Sequence, residues 1–281
     1  MEKIFVIKNK GEREPFSWRK IYLSAQRVGA SKHLARKIST QIKNEVYDNI
    51  TTKEIFGRIQ QVLLQEEKGI GIRFNLKEAI RRLGPSGFPF EKYVGAIFEA
   101  QGFTVQLNQM IPGRCVTHEI DFLAKKGKQV LIAECKFHQM AGSRVDLKVA
   151  LSTYACFLDL KSGNFFQKAG LKNLELKPFI ITNAKFTSQV VQYANCMGIS
   201  LLGWRHPDNQ GLEYMIESQK LYPITILPSL RDHLLETFAK EKMMLAKNLL
   251  ATELSKFARR LDIPEQKLKI LRDEADLLLQ E

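Results

Sequence analysis

The chain reads as an α/β protein whose central segment forms a mixed sheet with helices on its faces, flanked by two segments that are mostly helical. Three observations predict this. Residues 88–228 alternate helix-period and strand-like stretches in the order α-β-β-β-α-β-α-β, which calls for a mixed sheet. Residues 1–87 hold one strand-like run ahead of several stretches with apolar residues three and four apart. Residues 229–281 are helical in pattern almost throughout.

In the first segment IFVIKN reads as a strand and KGEREP as a turn. WRKIYLSAQRVGA and KHLARKISTQIKNEVYD then carry helical spacing. Thr51-Thr52 before EIFGRIQQVLLQEE is a capped helix start with Glu54 in the first turn. A helix through NLKEAIRRL stops at Gly84-Pro85-Ser86-Gly87, the strongest break in the sequence, so domains are expected at 1–87, 88–228 and 229–281. In the second segment FEKYVGAIFEAQG is an amphipathic helix. FTVQLNQ, VTHEIDFLA and QVLIAECKF follow as three strands, with Lys125-Lys126-Gly127-Lys128 turning the second into the third. RVDLKVALSTYACFLDL is a helix, KPFIITN a strand, TSQVVQYANCMG a helix and ISLLGW a strand. In the last segment RDHLLETFAKEKMMLAKNLL reads as one long helix or two. ELSKFARRL and PEQKLKILRDEADLLLQ flank Asp262-Ile263-Pro264, where proline suits a helix start.

Composition narrows the classes of function. The 281 residues suffice for two or three small domains, and no apolar run approaches the roughly 20 residues a membrane helix needs. MEKIFVIKNKGERE carries no signal-peptide core, and Cys115, Cys135, Cys156 and Cys196 are far apart, so a cytoplasmic chain with structural thiols is expected. The net charge of +13 is uneven. Residues 1–87 hold 18 Lys and Arg against 9 Asp and Glu, residues 88–229 hold 15 against 11, and residues 230–281 hold 10 of each. A basic N-terminal third suits nucleotide phosphates or a nucleic acid backbone. It equally suits a solvated basic surface.

The stretch EIDFLAKKGKQVLIAECKFH concentrates the chemistry. Alternation along a strand points Glu134 and Lys136 to one side and Cys135 to the other. If the flanking strands pair as a hairpin, Asp121 lies near Glu134. Two carboxylates at the end of buried strands repel each other and resist desolvation, and a divalent cation relieves both problems. Mg²⁺ would take carboxylate and carbonyl oxygens and complete its shell with water and phosphate oxygens. Lys136 beside it would orient or deprotonate an attacking water. A bare Glu-x-Lys also arises by chance at an exposed strand end. His118 and His138 read first as polar strand-end groups, with phosphate contact or proton transfer as the functional alternative. Trp204 reads as a packing residue rather than a base-stacking platform.

The context of the Glu-Cys-Lys carries a resemblance. FEKYVGAIFEAQGF (90–103), HEIDFLA (118–124), LIAECKFH (131–138) and KPFIITNAKFTSQVVQYANCMGISLLGW (177–204) together resemble the PD-(D/E)XK nuclease superfamily, in its Mrr-type restriction endonuclease branch. The resemblance implies a restriction-endonuclease-like mixed sheet flanked by helices (an α-β-β-β-α-β core). It implies Asp121 and Glu134 as metal ligands with the carbonyl of Cys135, Lys136 as the catalytic lysine, and Glu91 as a further active-site acid. Gln139 lies near the position where that branch often carries a glutamine.

Residues 1–84 are similar to an ATP-cone, a mostly helical nucleotide-sensing module, through VIKNKGEREPF, WRKI and ITTKEIFGRIQQVL. That similarity implies Lys8, Lys20 and Thr52 at a bound ATP or dATP. Asn9-Lys10 departs from the family's usual pair. No phosphate-binding loop or kinase signature accompanies it, so the nucleotide would be an effector rather than a fuel. The helical C-terminal segment suits oligomerisation or docking, with DNA binding second because its net charge is zero. The expectation is a Mg²⁺- or Mn²⁺-dependent DNA endonuclease of restriction or defence type, a homo-oligomer regulated by adenine nucleotide. The alternative is a nucleotide-responsive DNA-binding regulator whose nuclease fold is catalytically idle.

Overall fold

The computed structural model describes residues 4–8, 11–85, 87–168, 170 and 174–280. Asn9, Lys10 and Ser86, which figure in the expectations above, lie outside them. The chain is α/β and divides into two compact units. One comprises Met1–Ala79, Ile226–Leu230 and Leu249–Glu281, the other Ile80–Thr225 and Arg231–Asn248.

In the first unit, β1 (Phe5–Ile7) pairs antiparallel with β2 (Arg13–Pro15) and parallel with β3 (Ile50–Thr51). The stretch read as a turn therefore returns as a strand, closing a hairpin. Helices α1 (Trp18–Arg27), α2 (Lys32–Glu45) and α3 (Thr52–Glu66) cover this sheet. Their apolar stripes meet in one core of Ile21, Ala25, Leu34, Ile38, Ile42, Ile55, Ile59 and Leu63 with Val6 and Ile50. The side chain of Thr51 accepts from the N–H of Glu54 at 3.1 Å and caps α3.

Helix α4 (Lys68–Phe74), which the sequence reading leaves unassigned, holds two glycines in seven residues, a composition that counts against a helix. Packing supplies the reason for them. A Cβ on Gly71 would lie 2.6 Å from the backbone nitrogen of Leu64, and one on Gly69 would lie 2.5 Å from the carbonyl oxygen of Leu277. α5 (Leu76–Arg81) follows it.

In the second unit, α6 (Phe88–Ala100) precedes a meander of β4 (Thr104–Pro112), β5 (Thr117–Lys126) and β6 (Gln129–Lys136). After β7 (Arg144–Val145), α7 (Leu147–Ser162) and the short α8 (Phe165–Lys168), β8 (Glu175–Thr182) runs parallel to β6. β9 (Lys185–Phe186) pairs with β7, and α9 (Ser188–Met197) leads to β10 (Ser200–Leu202), parallel to β8. The five-stranded sheet has the order β10-β8-β6-β5-β4, antiparallel on one side and parallel on the other. Against one face Phe98 of α6 meets the rings of Phe122 and Phe179. Full burial of Phe90 and Phe122 contributes about 1.5–3 kcal/mol apiece. On the other face α7 packs Phe157 and Leu160 over Leu123, Val130 and Ile132.

α10 (Leu212–Ser218) and α11 (Leu235–Lys240) complete this unit, while α12 (Leu254–Leu261) and α13 (Glu265–Leu279) belong to the first. The compact units thus group residues 229–281 differently from a single expected segment. Where the sequence reads as one long helix or two over 231–250, the α-helix ends at Lys240, with Lys242 left-handed at φ 58°. Met243, Met244 and Leu245 after it are buried outside any helix, and a short 3-10 turn follows at Ala246–Leu249. Ile224 donates to the carbonyl of Met244 at 2.8 Å, and Ala246 donates to that of Tyr222 at 2.9 Å. In the first unit, Ser229 is held by Glu274 of α13, whose carboxylate accepts from the hydroxyl at 2.6 Å and the N–H at 3.1 Å. Among the described residues no helix is long and apolar enough to cross a membrane.

Candidate active site

The β5–β6 ladder pairs Phe122 with Ala133 and Leu123 with Ile132. One step beyond, the same register sets Asp121 across from Glu134. The backbone N–H of Cys135 donates to Asp121 Oδ2 at 2.5 Å and fixes that carboxylate at the strand end. Lys136 stands two residues after Glu134 on the same face, and its ammonium is joined to the Glu134 carboxylate. Cys135 is buried on the opposite face, where Phe137 packs its ring 5.6 Å from that of Phe90. Glu91 enters from the first turn of α6.

The electrostatics show these groups acting on one another. Burial, followed by the charges of Asp121, Glu119 and Glu134, raises the Glu91 carboxyl to about 7. Burial raises Asp121 to about 6, against the opposing pull of the Cys135 N–H. For Lys136 burial works against the charge, but the bond to Glu134 and the nearby carboxylates outweigh it and hold the ammonium above its ordinary value. Buried Cys135 is pushed well above the usual thiol range. The site is therefore a strand end where proton or cation binding relieves crowded negative charge. Among the described residues, no three His, Cys, Asp or Glu side chains gather as a ready-made metal cage. Asp121 and Glu134 bring two carboxylates to this strand end. Two carboxylates could hold Mg²⁺ only together with further oxygen ligands, which water can supply.

Residues not singled out in the sequence hold the strand end in place. Thr182, fully buried on β8, donates its hydroxyl to the Lys136 carbonyl at 2.5 Å. Asn183 accepts from the N–H of His138 and donates to its carbonyl, both at 2.8 Å. Glu119 stands two residues before Asp121, and its strand parity was the available signal.

His118 bonds through Nε2 to Asp159 Oδ2 at 2.8 Å, and Asp159 also accepts from the N–H groups of Cys115 at 2.9 Å and Val116 at 3.3 Å. These bonds, the one from His118 foremost, hold the Asp159 carboxyl far below its ordinary value. His118 thus has a structural partner on α7. Burial lowers His138. Gln139 is exposed. Trp204 is only 5% exposed and packs as a core residue. All four cysteines are free thiols.

In the other unit, Lys8 and Lys20 both reach Glu14, at 2.9 and 3.0 Å on its two carboxylate oxygens. Hydrogen bonds from these lysines lower the Glu14 carboxyl, and the bond to Glu14 raises Lys8. Lys20 and Thr52 line an apolar cavity of about 170 Å³ with Phe56 and Phe74, whose rings stack at 4.5 Å. The three expected nucleotide-site residues therefore gather around Glu14 and this cavity, and Glu14 itself was not anticipated.

Comparison with known proteins places the chain among relatives without assigned activity. Residues 222–279 match the family model described as AF1548-like, C-terminal. An uncharacterized protein of Archaeoglobus fulgidus is 40% identical over 131 residues, which cover 47% of this chain and 69% of that protein. The crystal structure of the protein of unknown function AF1548 aligns over 69% of this chain and 99% of its own, with 31% identity and a TM-score of 0.59. With that identity and coverage, the chain belongs to the AF1548-like family.

Proposed function

We propose that this protein is a metal-dependent DNA endonuclease that hydrolyses phosphodiester bonds, of restriction or defence type. On this reading the second unit is a restriction-endonuclease-like core, and the N-terminal elements are an ATP-cone that answers to ATP or dATP. The observation that carries the proposal is the β5–β6 register, which sets Asp121 across from Glu134 with Lys136 on the same face.

Asp121, Glu134 and the Cys135 carbonyl are the groups that would hold Mg²⁺ or Mn²⁺. Bound there, the cation would lower the pKa of a coordinated water and offset charge on the phosphodiester. Lys136, kept as an ammonium, suits holding a water or a phosphate oxygen rather than abstracting a proton. Glu91, with its carboxyl near neutrality, is the group suited to exchanging a proton with water or the leaving oxygen. Cutting both strands of a duplex calls for two such sites, hence a homo-oligomer acting on DNA in the cytoplasm.

The test is cleavage of plasmid DNA, methylated and unmethylated, with Mg²⁺ or Mn²⁺ and with or without ATP and dATP. Asp121→Ala, Glu134→Ala and Lys136→Ala should each lower the rate by about 100-fold or more while keeping the wild-type circular dichroism spectrum. Plasmid left intact under every condition, by protein that still binds it, would overturn the catalytic reading in favour of a DNA-binding regulator.

A further inference from the structure

A second set of charges in the sheet unit has no part in the candidate active site. Lys92 of α6, Lys240 at the end of α11 and Lys242 just beyond it line one cavity of about 420 Å³. Its wall includes Val105 and Leu107 of β4 with Met244, and Glu99 supplies the one carboxylate on it. The volume falls within the range of small-ligand sites, which combine apolar walls with a few placed polar groups.

The three lysines line this one cavity, against the single carboxylate of Glu99 among its lining residues. Lys92 donates to the carbonyl of Ala239 at 3.0 Å and lies 4.4 Å from the centre of the Phe88 ring. Neither contact supplies a negative charge. Burial, then Lys240 and Lys242, press its ammonium below the ordinary value. Among the described residues none of the three forms an ion pair. Lys242 also occupies the left-handed position of a helix-ending turn, in which its N–H bonds Ala239 and that of Met243 bonds Phe238, at 3.2 and 2.9 Å. Glycine or asparagine is the usual choice there. The C-terminal carbonyls of α11 explain a preference for one cation. They do not explain three lysines lining one cavity together with Val105, Leu107 and Met244.

We propose that this cavity is a phosphate-binding site, taking a ligand of nucleotide size whose phosphate is held by Lys92, Lys240 and Lys242 and whose ring lies on Val105, Leu107 and Met244. The phosphate has two chemical sources, a free nucleotide or a nucleotide unit of a nucleic acid strand. The inference does not rest on the endonuclease reading, because binding needs no cleavage.

The full chain, wild type and Lys240→Ala/Lys242→Ala, is titrated with pyrophosphate, with dAMP and with a 20-base-pair duplex. Both lysines are exposed, so the double variant is expected to fold. Loss of pyrophosphate and dAMP affinity by about tenfold or more identifies a free-nucleotide site. A loss confined to the duplex, with the salt dependence reduced by about two units of slope, identifies a backbone site. Glu99→Gln should move affinity the other way, tightening the same ligand by removing the opposing charge. Unchanged affinity for all three ligands in the double variant, or weaker binding in Glu99→Gln, overturns the proposal.

Discussion

Neutralising Glu91 separates what its carboxyl does for stability from what it does for chemistry. Its folded-state pKa is raised from 4.5 to about 7 by burial and then by Asp121, Glu119 and Glu134. The folded chain therefore binds that proton more tightly than the unfolded chain does. The associated stability is full below about pH 4.5 and is lost as pH rises through about 7. At pH 8 in EDTA, Glu91→Gln should be more stable than wild type by on the order of 1–2 kcal/mol after solvent screening. The two should converge near pH 4. Coincident melting curves at both pH values would remove the crowded-carboxylate account of the site. A cation offers the same relief, so Mg²⁺ at pH 8 should raise the wild-type melting temperature and leave Asp121→Asn unmoved. An equal rise in both proteins would locate the cation elsewhere. Asp121, Glu134 and Lys136 were legible in the sequence because strand parity and a short hairpin convert spacing directly into position. Thr182 and Asn183 were not. Their bonds reach back 46 and 45 residues and exist only once β6 and β8 are paired.

Helical periodicity located α1, α2, α3, α6, α7 and α9 because each buries an apolar stripe, and it failed where tertiary packing overrode local preference. α4 goes unassigned in the sequence and carries two glycines, yet Gly71 sits against the backbone of α3 where no side chain fits. The stretch 231–250 reads as one long helix or two, yet its middle pairs with the backbone of residues 222–224. Two glycine substitutions discriminate propensity from packing. Gly57 lies within α3 with nothing inside 4 Å of an added Cβ, so Gly57→Ala should stabilise the protein by up to about 1 kcal/mol. Gly71→Ala gains the same propensity but meets Leu64 N at 2.6 Å, so it should destabilise by about 1–3 kcal/mol. Chemical denaturation of both variants reads the two signs. A stabilised Gly71→Ala would mean that α4 and α3 do not approach so closely.

At the scale of the molecule, folding redistributes charge that looks one-sided along the sequence. By segments, the first 87 residues carry a net +9 and the last 52 carry zero. By compact units, the first carries 22 basic against 16 acidic residues and the second 21 against 14, giving +6 and +7. The unit that holds the candidate active site gains two positive charges from Arg81 and Arg82 and one from residues 231–248, where Arg231, Lys240, Lys242 and Lys247 meet three acids. A phosphate backbone would therefore be met by the sheet unit itself rather than only by the basic N-terminus. Duplex affinity should fall steeply with salt, by on the order of 1,000-fold between 50 and 200 mM NaCl if about six phosphates are neutralised. A protein comprising only the N-terminal 79 residues would not suit the comparison, because that unit also draws on residues 226–230 and 249–281. The measurement instead uses the full chain with charge-reversing pairs in each unit, Arg27→Glu/Lys32→Glu against Lys125→Glu/Lys128→Glu. A larger loss of duplex affinity in the second pair places the DNA on the sheet unit. A larger loss in the first pair assigns it to the basic N-terminus and removes the sheet unit as the principal contact.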